Sequence, residues 1–342
     1  MHDDPRTPSS FLDQHEHTGF FRSPQTHLQR LFPESPQVRI IAKLDLLQMT
    51  GSTKERTAAS LLRGLVERGE LGPGGTVVES TSGNLGTALA RQCALSGHRF
   101  VAVVDETANS AAVRTMRAYG AEVDVVPTPP DGNRLAARVA RVRSLLAQIP
   151  GSATTDQYGS PDNPAAHESS TMPEIVAALG APPDRMYVAT STTGTVLGCQ
   201  QAILRHGWPT ELIAVDAEGS VLFGGDAGPR QLPGLGAGFV TDLSRRARPD
   251  AVHRIGEREM IIGCRLLARR EGILAGASTG AIVAAVGRDI GELPAGTRVA
   301  MLVHDSGVPY HPTVYDDAWT AERIGPVRDI EAALSRANPF AR

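Results

Sequence analysis

The stretch Thr76-Val-Val-Glu-Ser-Thr-Ser-Gly-Asn-Leu-Gly86 joins a short apolar run to a turn of glycine and hydroxyl residues, and a helical pattern follows it. From Thr76 onward, strand-length apolar runs alternate with helix-length segments, which is typical of a parallel sheet with crossover helices. The sequence therefore predicts an α/β fold. The expected strands are 76–79, 99–104, 122–126, 186–190, 212–216, 273–275 and 298–303. The expected helices are 53–68, 85–95, 112–119, 134–147, 195–205, 257–270 and 279–289.

The length of the chain predicts two lobes. With 342 residues, of which 41% are hydrophobic, the chain can bury a large core. The periodic pattern is interrupted near Gln48 and at Gln157-Tyr-Gly-Ser-Pro-Asp-Asn-Pro164, where the chain could pass between lobes. We expect a small mobile lobe at 47–157, inserted in a large lobe made of 1–46 and 158–342. Residues 1–30 are expected to form an irregular arm that could pack on a neighbouring subunit.

The charge of the chain is close to balanced, with a formal net charge of -3. This balance gives no reason to expect nucleic acid or an anionic membrane as a partner. Apolar runs such as Arg298-Val-Ala-Met-Leu-Val303 are far shorter than the roughly 20 residues of a membrane helix. The chain starts without a cationic segment that leads into an apolar one, so the cytoplasm is the expected location. No Cys-x-x-Cys, His-x-x-x-His or Glu-x-x-His grouping predicts a metal site.

Lys54 lies in the segment Met49-Thr-Gly-Ser-Thr-Lys-Glu-Arg56, at the expected start of a helix. The positive end of a helix dipole disfavours an ammonium there, and a neutral amine can form a Schiff base with an aldehyde cofactor. A lysine in a first helical turn can equally be a solvated surface residue. Together with the hydroxyl-rich turns that follow it, Lys54 favours an enzyme that uses pyridoxal 5'-phosphate.

Three expected strand-to-helix turns are rich in hydroxyl and glycine residues: Ser80-Thr-Ser-Gly-Asn-Leu-Gly86, Thr190-Ser-Thr-Thr-Gly-Thr-Val-Leu-Gly198 and Gly276-Ala-Ser-Thr-Gly-Ala281. Backbone N–H groups at a helix start, together with hydroxyls, bind anions without a basic residue. The second turn predicts a phosphate cradle, and Ser278 in the third could donate to an uncharged ring nitrogen. Each turn could instead be a plain helix cap. Arg230, in a glycine-rich loop, could meet a substrate phosphate or carboxylate, or could simply be solvated.

The lysine segment 49–56 and the three hydroxyl-rich turns, in this order, resemble those of the fold-type II pyridoxal phosphate enzymes, the cysteine synthase and cystathionine β-synthase group. The resemblance extends from about Ala42 to Tyr315. It implies a two-lobed fold like that of the tryptophan synthase β-chain, in which each lobe is a mostly parallel twisted sheet flanked by helices. It also implies a homodimer that acts on small amino-acid substrates.

The resemblance assigns roles to particular residues. Lys54 would hold pyridoxal 5'-phosphate and later act as base and acid at the substrate Cα. Asn84 would bond the 3-hydroxyl of the cofactor, and Ser278 would face its ring nitrogen. The cofactor phosphate would lie in the cradle formed by Ser191, Thr192, Thr193, Gly194 and Thr195. The substrate carboxylate would be bound by the turn residues Thr81, Ser82 and Gly83 and by Gln157.

The chain departs from ordinary cysteine synthases, whose lysine turn usually reads Asn-Pro-x-Gly-Ser-x-Lys-Asp-Arg. Here that turn is Gln48-Met-Thr-Gly-Ser-Thr-Lys-Glu-Arg56, and the loop Ser191-Thr-Thr-Gly-Thr195 holds less glycine than theirs. Tyr158 stands where phenylalanine is common. With Gln231-Leu-Pro-Gly-Leu-Gly236 and Thr313-Val-Tyr-Asp-Asp-Ala-Trp319, these changes resemble the 2,3-diaminopropionate branch of the family, which serves siderophore biosynthesis.

That branch implies a β-replacement in which O-phospho-L-serine loses phosphate and the amine of L-glutamate is added at the β-carbon. Tyr158 and Ser191 would select the substrates, because each adds a hydroxyl near the leaving group. Arg230 would bind the leaving phosphate. The alternatives are a cysteine synthase that uses sulfide with O-acetylserine or O-phosphoserine, and an ammonia-using diaminopropionate synthase. A non-enzyme alternative is a regulatory subunit that binds the cofactor on the same fold.

Overall fold

The computed structural model describes residues 23–35, 37–130, 133–336 and Phe340. The strands in this part of the chain are β1 (Leu28–Leu31), β2 (Arg39–Leu44), β3 (Thr76–Ser80), β4 (Arg99–Asp105), β5 (Glu122–Val126), β6 (Arg185–Ala189), β7 (Glu211–Ala217), β8 (Ala251–Ile255) and β9 (Arg298–Val303). The first helices are α1 (Lys54–Glu67), α2 (Asn84–Ser96), α3 (Ser110–Ala118), α4 (Arg134–Gln148), α5 (Asp162–Ala166) and α6 (Met172–Leu179). The later ones are α7 (Gly194–His206), α8 (Asp242–Arg246), α9 (Glu257–Glu271), α10 (Ala277–Asp289), α11 (Asp317–Arg323) and α12 (Val327–Arg336).

The chain divides into two compact units. The larger unit contains Pro24–Leu61 and the described part of Asp156–Arg342, and the smaller unit contains Leu62–Thr155. The chain therefore passes from one unit to the other within α1 and again just before Gln157. The lobe limits expected from the sequence, 47–157 and the remainder, stay a prediction.

The larger unit is built on a six-stranded sheet in the order β1-β2-β9-β6-β7-β8. Strand β1 pairs antiparallel with β2, and all the other pairs are parallel. Alternate residues of the central strands enter two different cores, because successive side chains of a strand point to opposite faces. Val299 and Met301 of β9 pack into one core, while Ala300 and Leu302 pack into the other. Burial of each large aliphatic side chain contributes about 1.5–3 kcal/mol.

The smaller unit has a parallel sheet in the order β3-β4-β5. Its hydrophobic core contains Val78, Val101 and Val103 of the first two strands, together with Val142 and Leu145 of α4. In each sheet the carboxyl ends of the parallel strands lie at one edge of that sheet: the turn before α2 follows β3 in the smaller unit, and the turn before α7 follows β6 in the larger unit. The α/β fold predicted from the sequence is confirmed.

One expected strand is wrong, because 273–275 forms no strand. Gly272 ends α9 with φ of 67° and Gly276 caps α10, so only three residues lie between two helices. Strand β9 is already paired on both sides, by β2 and β6. Ala275 therefore forms only a single bridge, to Ser306, which lies beyond the end of β9.

The sequence interpretation also missed three strands and several helices. Strands β1, β2 and β8 were not expected, and β1 shows that the end of the predicted N-terminal arm is not irregular. Residues 1–22 of that arm lie outside the described residues. The segment read as a break at Gln157–Pro164 opens into α5, a π-helical turn at His167–Thr171 and α6. Helices α8, α11 and α12 were missed as well.

In the described part of the chain, no helix is both long enough and apolar enough to cross a membrane. The described residues also contain no group of three or more His, Cys, Asp or Glu side chains that could hold a metal ion.

Candidate active site

The lysine turn is attached to the segment that follows β9. Thr53 N–H donates to the carbonyl of His304 at 2.8 Å, and Ser306 N–H donates to the carbonyl of Gly51 at 2.9 Å. Ser52 and Asp305 form an antiparallel bridge between these two bonds. The structure thus fixes the main chain immediately before Lys54, which is the first residue of α1.

The sequence contains only two lysines, and their surroundings differ. Lys43 is almost completely buried, and its Nζ pairs with Glu174 at 2.6 Å and donates to Thr26. Lys54 is only partly buried. Burial lowers the pKa of Lys54 to about 8, while the nearby Asp305 carboxylate opposes that shift. Lys54 is therefore the lysine with an available amine, and with a pKa of about 8 roughly a tenth of it is neutral at pH 7.

Buried ionic groups support the first turn of α1. Arg56 is two residues after Lys54, and its guanidinium donates to Asp45 at 2.9 Å and 3.0 Å and to Glu174 at 2.7 Å and 2.8 Å. Thr26 donates to the same Asp45 carboxylate at 2.7 Å. Loss of one member of such a buried pair costs about 3–5 kcal/mol, so this network holds the lysine helix firmly in place.

The turn between β6 and α7 carries a strained threonine. Thr193 has φ of 71°, in the left-handed region that a β-branched residue rarely occupies. Its hydroxyl is buried and has no hydrogen-bond partner among the described residues. Strain of this kind costs of order 1–3 kcal/mol and is typical of ligand-binding segments.

Asn163 joins two predicted parts of the site. Its side-chain amide donates to the carbonyl of Gln157 at 2.7 Å and to Thr192 Oγ1 at 3.0 Å. A Cβ on Gly194 would lie only 2.0 Å from Asn163 Oδ1, so no larger residue fits there. The Gln157 turn and the Ser191–Thr195 loop are therefore held side by side. The sequence interpretation missed Asn163, and its place after a proline in a helix-starting segment was the available signal.

Tyr158 is held by the loop that leads into α8. Its ring packs edge-on against Phe239 with centroids 5.1 Å apart, and its carbonyl accepts from Leu243 N–H at 3.4 Å. Thr241, the N-cap of α8, donates to the carbonyl of Thr192 at 3.3 Å. The short helix α8 therefore connects Tyr158 to the loop containing Ser191.

Arg230 lies on the same glycine-rich loop as Phe239. It is partly buried, and its Nη1 donates to the carbonyl of Gly219 at 3.1 Å. Its Nη2 lies beside Gly238, the residue before Phe239. The structure thus places Arg230 near the residues that pack on Tyr158.

Ser278 is buried in the first turn of α10, whereas the sequence placed it in the turn before a helix at 279–289. Gly276, which caps this helix, donates its N–H to the carbonyl of Asp305 at 3.1 Å. A Cβ on Gly276 would lie 2.1 Å from the Asp305 carboxylate, so only glycine allows this approach. The Asp305 segment consequently anchors both the lysine turn and the serine turn.

Two buried histidines also contact these elements. His304 Nε2 accepts from Ala189 N–H at 3.1 Å, where β6 ends. His167 Nε2 lies within 3.3 Å of Thr57 Oγ1 on α1 and within 3.2 Å of Thr195 Oγ1 on α7. Burial, and then the charge of Lys54, lowers the pKa of His304 to about 3 and that of His167 well below its ordinary value. Both rings are therefore neutral at physiological pH.

The remaining predicted site residues belong to the smaller unit. Thr81 is buried after β3, and its Oγ1 accepts from Gly86 N–H at 2.9 Å. Ser82, Gly83 and Asn84 follow it at the start of α2 and are partly buried. In the larger unit, Asn163 and α8 join Gln157 and Tyr158 to the Ser191–Thr195 loop, and the segment after β9 joins the turns of Lys54 and Ser278.

Comparison with known proteins defines the class. The family model described as pyridoxal-phosphate dependent enzyme matches residues 18–305, and the chain belongs to this family. It is 41% identical over 320 residues to N-(2-amino-2-carboxyethyl)-L-glutamate synthase of Ralstonia nicotianae, covering 93% of each chain. It is 40% identical over 304 residues to the protein of that name from Cupriavidus metallidurans, covering 87% of this chain and 89% of the relative.

Solved structures support the same class. An O-acetylserine dependent cystathionine β-synthase from Helicobacter pylori matches with a TM-score of 0.77 and 30% identity, over 86% of this chain and 96% of that one. An O-ureido-L-serine synthase matches with a TM-score of 0.74 and 32% identity, over 89% of this chain and 97% of that one. The expectation of a fold-type II pyridoxal phosphate enzyme is confirmed.

The described residues fit this cofactor. Lys54 offers the amine that an aldehyde requires, with a pKa of about 8. The Thr193 hydroxyl is buried and without a partner in the described chain, at the N-terminus of α7 where backbone N–H groups favour a phosphate. Ser278 presents a neutral hydroxyl and not a carboxylate.

Proposed function

We propose that this protein is an N-(2-amino-2-carboxyethyl)-L-glutamate synthase. In this reaction the phosphate of O-phospho-L-serine leaves the β-carbon and the amine of L-glutamate takes its place. The observation that carries the proposal is the identity of 41% and 40% to two proteins of that name, over most of both chains. No comparison favours the sulfide-using or ammonia-using alternatives over this reaction.

We propose the following roles in the larger unit. Lys54 attaches the cofactor and moves the proton at the substrate Cα, which its lowered pKa supports. Bound pyridoxal phosphate supplies the electron sink that allows a group to leave the β-carbon. Ser278 faces the ring nitrogen. The cofactor phosphate is held by Ser191, Thr192, Thr193, Gly194 and Thr195.

We propose that the remaining residues bind the substrates. In the smaller unit, Asn84 bonds the 3-hydroxyl of the cofactor, and the turn Thr81, Ser82 and Gly83 binds the substrate carboxylate. Gln157 of the larger unit contributes to the same carboxylate.

We propose that Tyr158 and Ser191 select the substrates and that Arg230 receives the leaving phosphate. The support is that α8 links Tyr158 with the Ser191 loop, and that Arg230 lies beside the residues packed on Tyr158. A guanidinium binds phosphate strongly and with two parallel hydrogen bonds. If Tyr158→Phe combined with Ser191→Gly leaves donor and acceptor preference unchanged, the selection role is wrong.

The protein is further proposed to be a cytoplasmic homodimer that supplies a 2,3-diaminopropionate precursor for a siderophore or an antibiotic. This proposal rests on the family resemblance. Sedimentation of the purified protein tests the dimer, because a monomer has about half the mass of the expected species.

A product assay tests the reaction. Purified protein with pyridoxal phosphate and O-phospho-L-serine is given L-glutamate, ammonia or sulfide in separate tubes, and products are identified by mass spectrometry. We expect a glutamate adduct with release of one phosphate. O-acetyl-L-serine serves as the matched donor control. Cysteine as the only product would assign the protein to the cysteine synthases instead.

A further inference from the structure

Three threonine hydroxyls surround the ring of His167, which is fully buried in the larger unit. His167 Nε2 lies 3.3 Å from Thr57 Oγ1 and 3.2 Å from Thr195 Oγ1, and Nδ1 lies 2.9 Å from Thr171 Oγ1. Thr57 lies about one turn after Lys54 on α1. Thr195 belongs to the proposed phosphate cradle. One imidazole thus connects the lysine helix with the cradle.

The backbone around His167 has an unusual form. His167 begins a π-helical turn, in which the N–H of Met172 donates to the carbonyl of His167. Such turns are rare and occur frequently at functional sites. A Cβ on Gly198 would lie 2.7 Å from His167 Cβ, so α7 packs closely against this residue. The ring is therefore held at a fixed position within hydrogen-bonding distance of Thr195.

The charge state of His167 limits what its ring can do. Burial, with a contribution from Lys54, lowers its pKa well below the ordinary value, so the ring is neutral. A neutral imidazole carries one hydrogen, on either Nδ1 or Nε2. The position of that hydrogen decides whether Nε2 donates to the neighbouring hydroxyls or accepts from them.

The phosphate cradle makes one of these tautomers preferable. Residues Ser191–Thr195 include no lysine or arginine, so hydroxyl and N–H donors must supply the attraction for an anion. When the Thr195 hydroxyl donates to a phosphate, its lone pairs face His167 Nε2 at 3.2 Å. Two lone pairs at that distance repel each other, whereas an Nε2–H would donate to the oxygen. Nδ1 can then accept from Thr171.

We propose that His167 is a positioning residue of the phosphate cradle. As the Nε2–H tautomer it donates to Thr195 Oγ1 and directs the Thr195 hydroxyl hydrogen toward the cofactor phosphate. Thr171 holds the tautomer by donating to Nδ1. This inference rests on the proposed role of Ser191–Thr195 in binding that phosphate.

The dissociation constants of pyridoxal phosphate and of pyridoxal separate this role from general stability. Both are measured by equilibrium dialysis on cofactor-free wild type, His167→Leu and His167→Gln. Glutamine can place an amide N–H near the position of Nε2, whereas leucine cannot. We expect His167→Leu to bind pyridoxal phosphate about tenfold more weakly with pyridoxal unchanged, and His167→Gln to restore most of the loss.

The outcomes are distinguishable. Equal losses for both ligands in His167→Leu, or no rescue by glutamine, would overturn the positioning role. If the wild type itself binds pyridoxal as tightly as pyridoxal phosphate, the cradle assignment fails instead. Thr57→Val is the matched control, because it removes the other hydroxyl on Nε2 while Thr195 remains. The ratio of the two constants should not change in that variant.

Nitrogen NMR of ¹⁵N-histidine protein tests the tautomer directly. The His167 signals are assigned by their absence in His167→Gln. In protein loaded with pyridoxal phosphate, we expect Nε2 to carry the hydrogen and Nδ1 to be the unprotonated nitrogen. Thr171→Val removes the donor to Nδ1 and should shift this equilibrium. A loaded wild-type protein with the hydrogen on Nδ1 contradicts the proposal.

Discussion

Two strand-to-helix turns of similar composition, Ser80–Gly86 in the smaller unit and Thr190–Gly198 in the larger, treat their threonines differently. In the first, Thr81 Oγ1 accepts from Gly86 N–H at 2.9 Å, so this hydroxyl stabilises the turn itself. In the second, Thr193 is held at φ of 71° with a buried hydroxyl that has no partner in the described chain. The Thr81 hydroxyl thus has a partner within its own turn, whereas the Thr193 hydroxyl has none in the described chain, which supports the proposed phosphate site at the second turn.

The difference indicates that the threonine of the first turn serves structure, and it supports the proposal that the threonine of the second serves binding. A buried hydroxyl without a partner costs about 1–3 kcal/mol, and the left-handed backbone adds to that cost. Binding of a ligand at this turn would offset both unfavourable contributions. The comparison therefore predicts that the Thr193 hydroxyl contributes to cofactor affinity and the Thr81 hydroxyl to stability.

The largest effect should come from Lys54→Ala. This change removes the proposed point of attachment of the cofactor whose binding the two turns are compared for. We expect a loss of turnover of about 10³-fold or more, because the group proposed to move the Cα proton is removed. After borohydride reduction, intact mass should show a covalently attached cofactor in wild type and none in the variant. Lys43 is the only other lysine, and attachment there would contradict the assignment.

Replacement of each threonine by valine tests the comparison directly. Valine keeps the branched shape and removes only the hydroxyl. We expect Thr193→Val to weaken pyridoxal phosphate binding about 10–100-fold, because a hydrogen bond to a charged group is lost, without a loss of stability. The measurements are equilibrium dialysis and chemical unfolding of the cofactor-free protein.

Thr81→Val is the matched variant in the smaller unit. It leaves Gly86 N–H without its acceptor, so we expect a loss of about 1–3 kcal/mol in the free energy of unfolding. Its affinity for pyridoxal phosphate should stay unchanged. If the two variants behave alike in both measurements, the two threonine hydroxyls do not differ in role.

The sequence predicted the helices and central strands because their periodicity reflects burial on one or two faces. It missed β8 because this edge strand pairs only with β7 and is mostly half-buried. Pro161 and Pro164 were interpreted as a break between lobes, although both lie at the start of α5. A missing N–H is tolerated in the first turn of a helix. Asn163 was missed with that segment, and His167, three residues after its end, was not singled out either. Their contacts join residues far apart in sequence, which no local pattern encodes.

The pH dependence of Lys54 acylation tests whether burial lowers the pKa of its amine. Burial lowers its pKa to about 8, so the neutral amine becomes the main form as pH rises above that value. In cofactor-free protein, acylation of Lys54 should become about tenfold faster between pH 7 and pH 9 and then level off. Peptide mass spectrometry reads both lysines, and buried Lys43 is the internal control. A rate that keeps rising beyond pH 10 would assign Lys54 an ordinary pKa.

The smallest expected effect separates strain from binding within the second turn. Thr193→Gly removes the cost of a β-branched residue at φ of 71°, which is about 1–2 kcal/mol. Glycine gives back part of this gain through the greater freedom of the unfolded chain, so we expect a net stabilisation of up to about 1 kcal/mol. Cofactor affinity should fall as far as in Thr193→Val, because both variants lose the same hydroxyl. A glycine variant that is less stable than Thr193→Val would mean that the left-handed backbone carries no strain. The buried hydroxyl without a partner would then be the only destabilising feature of Thr193.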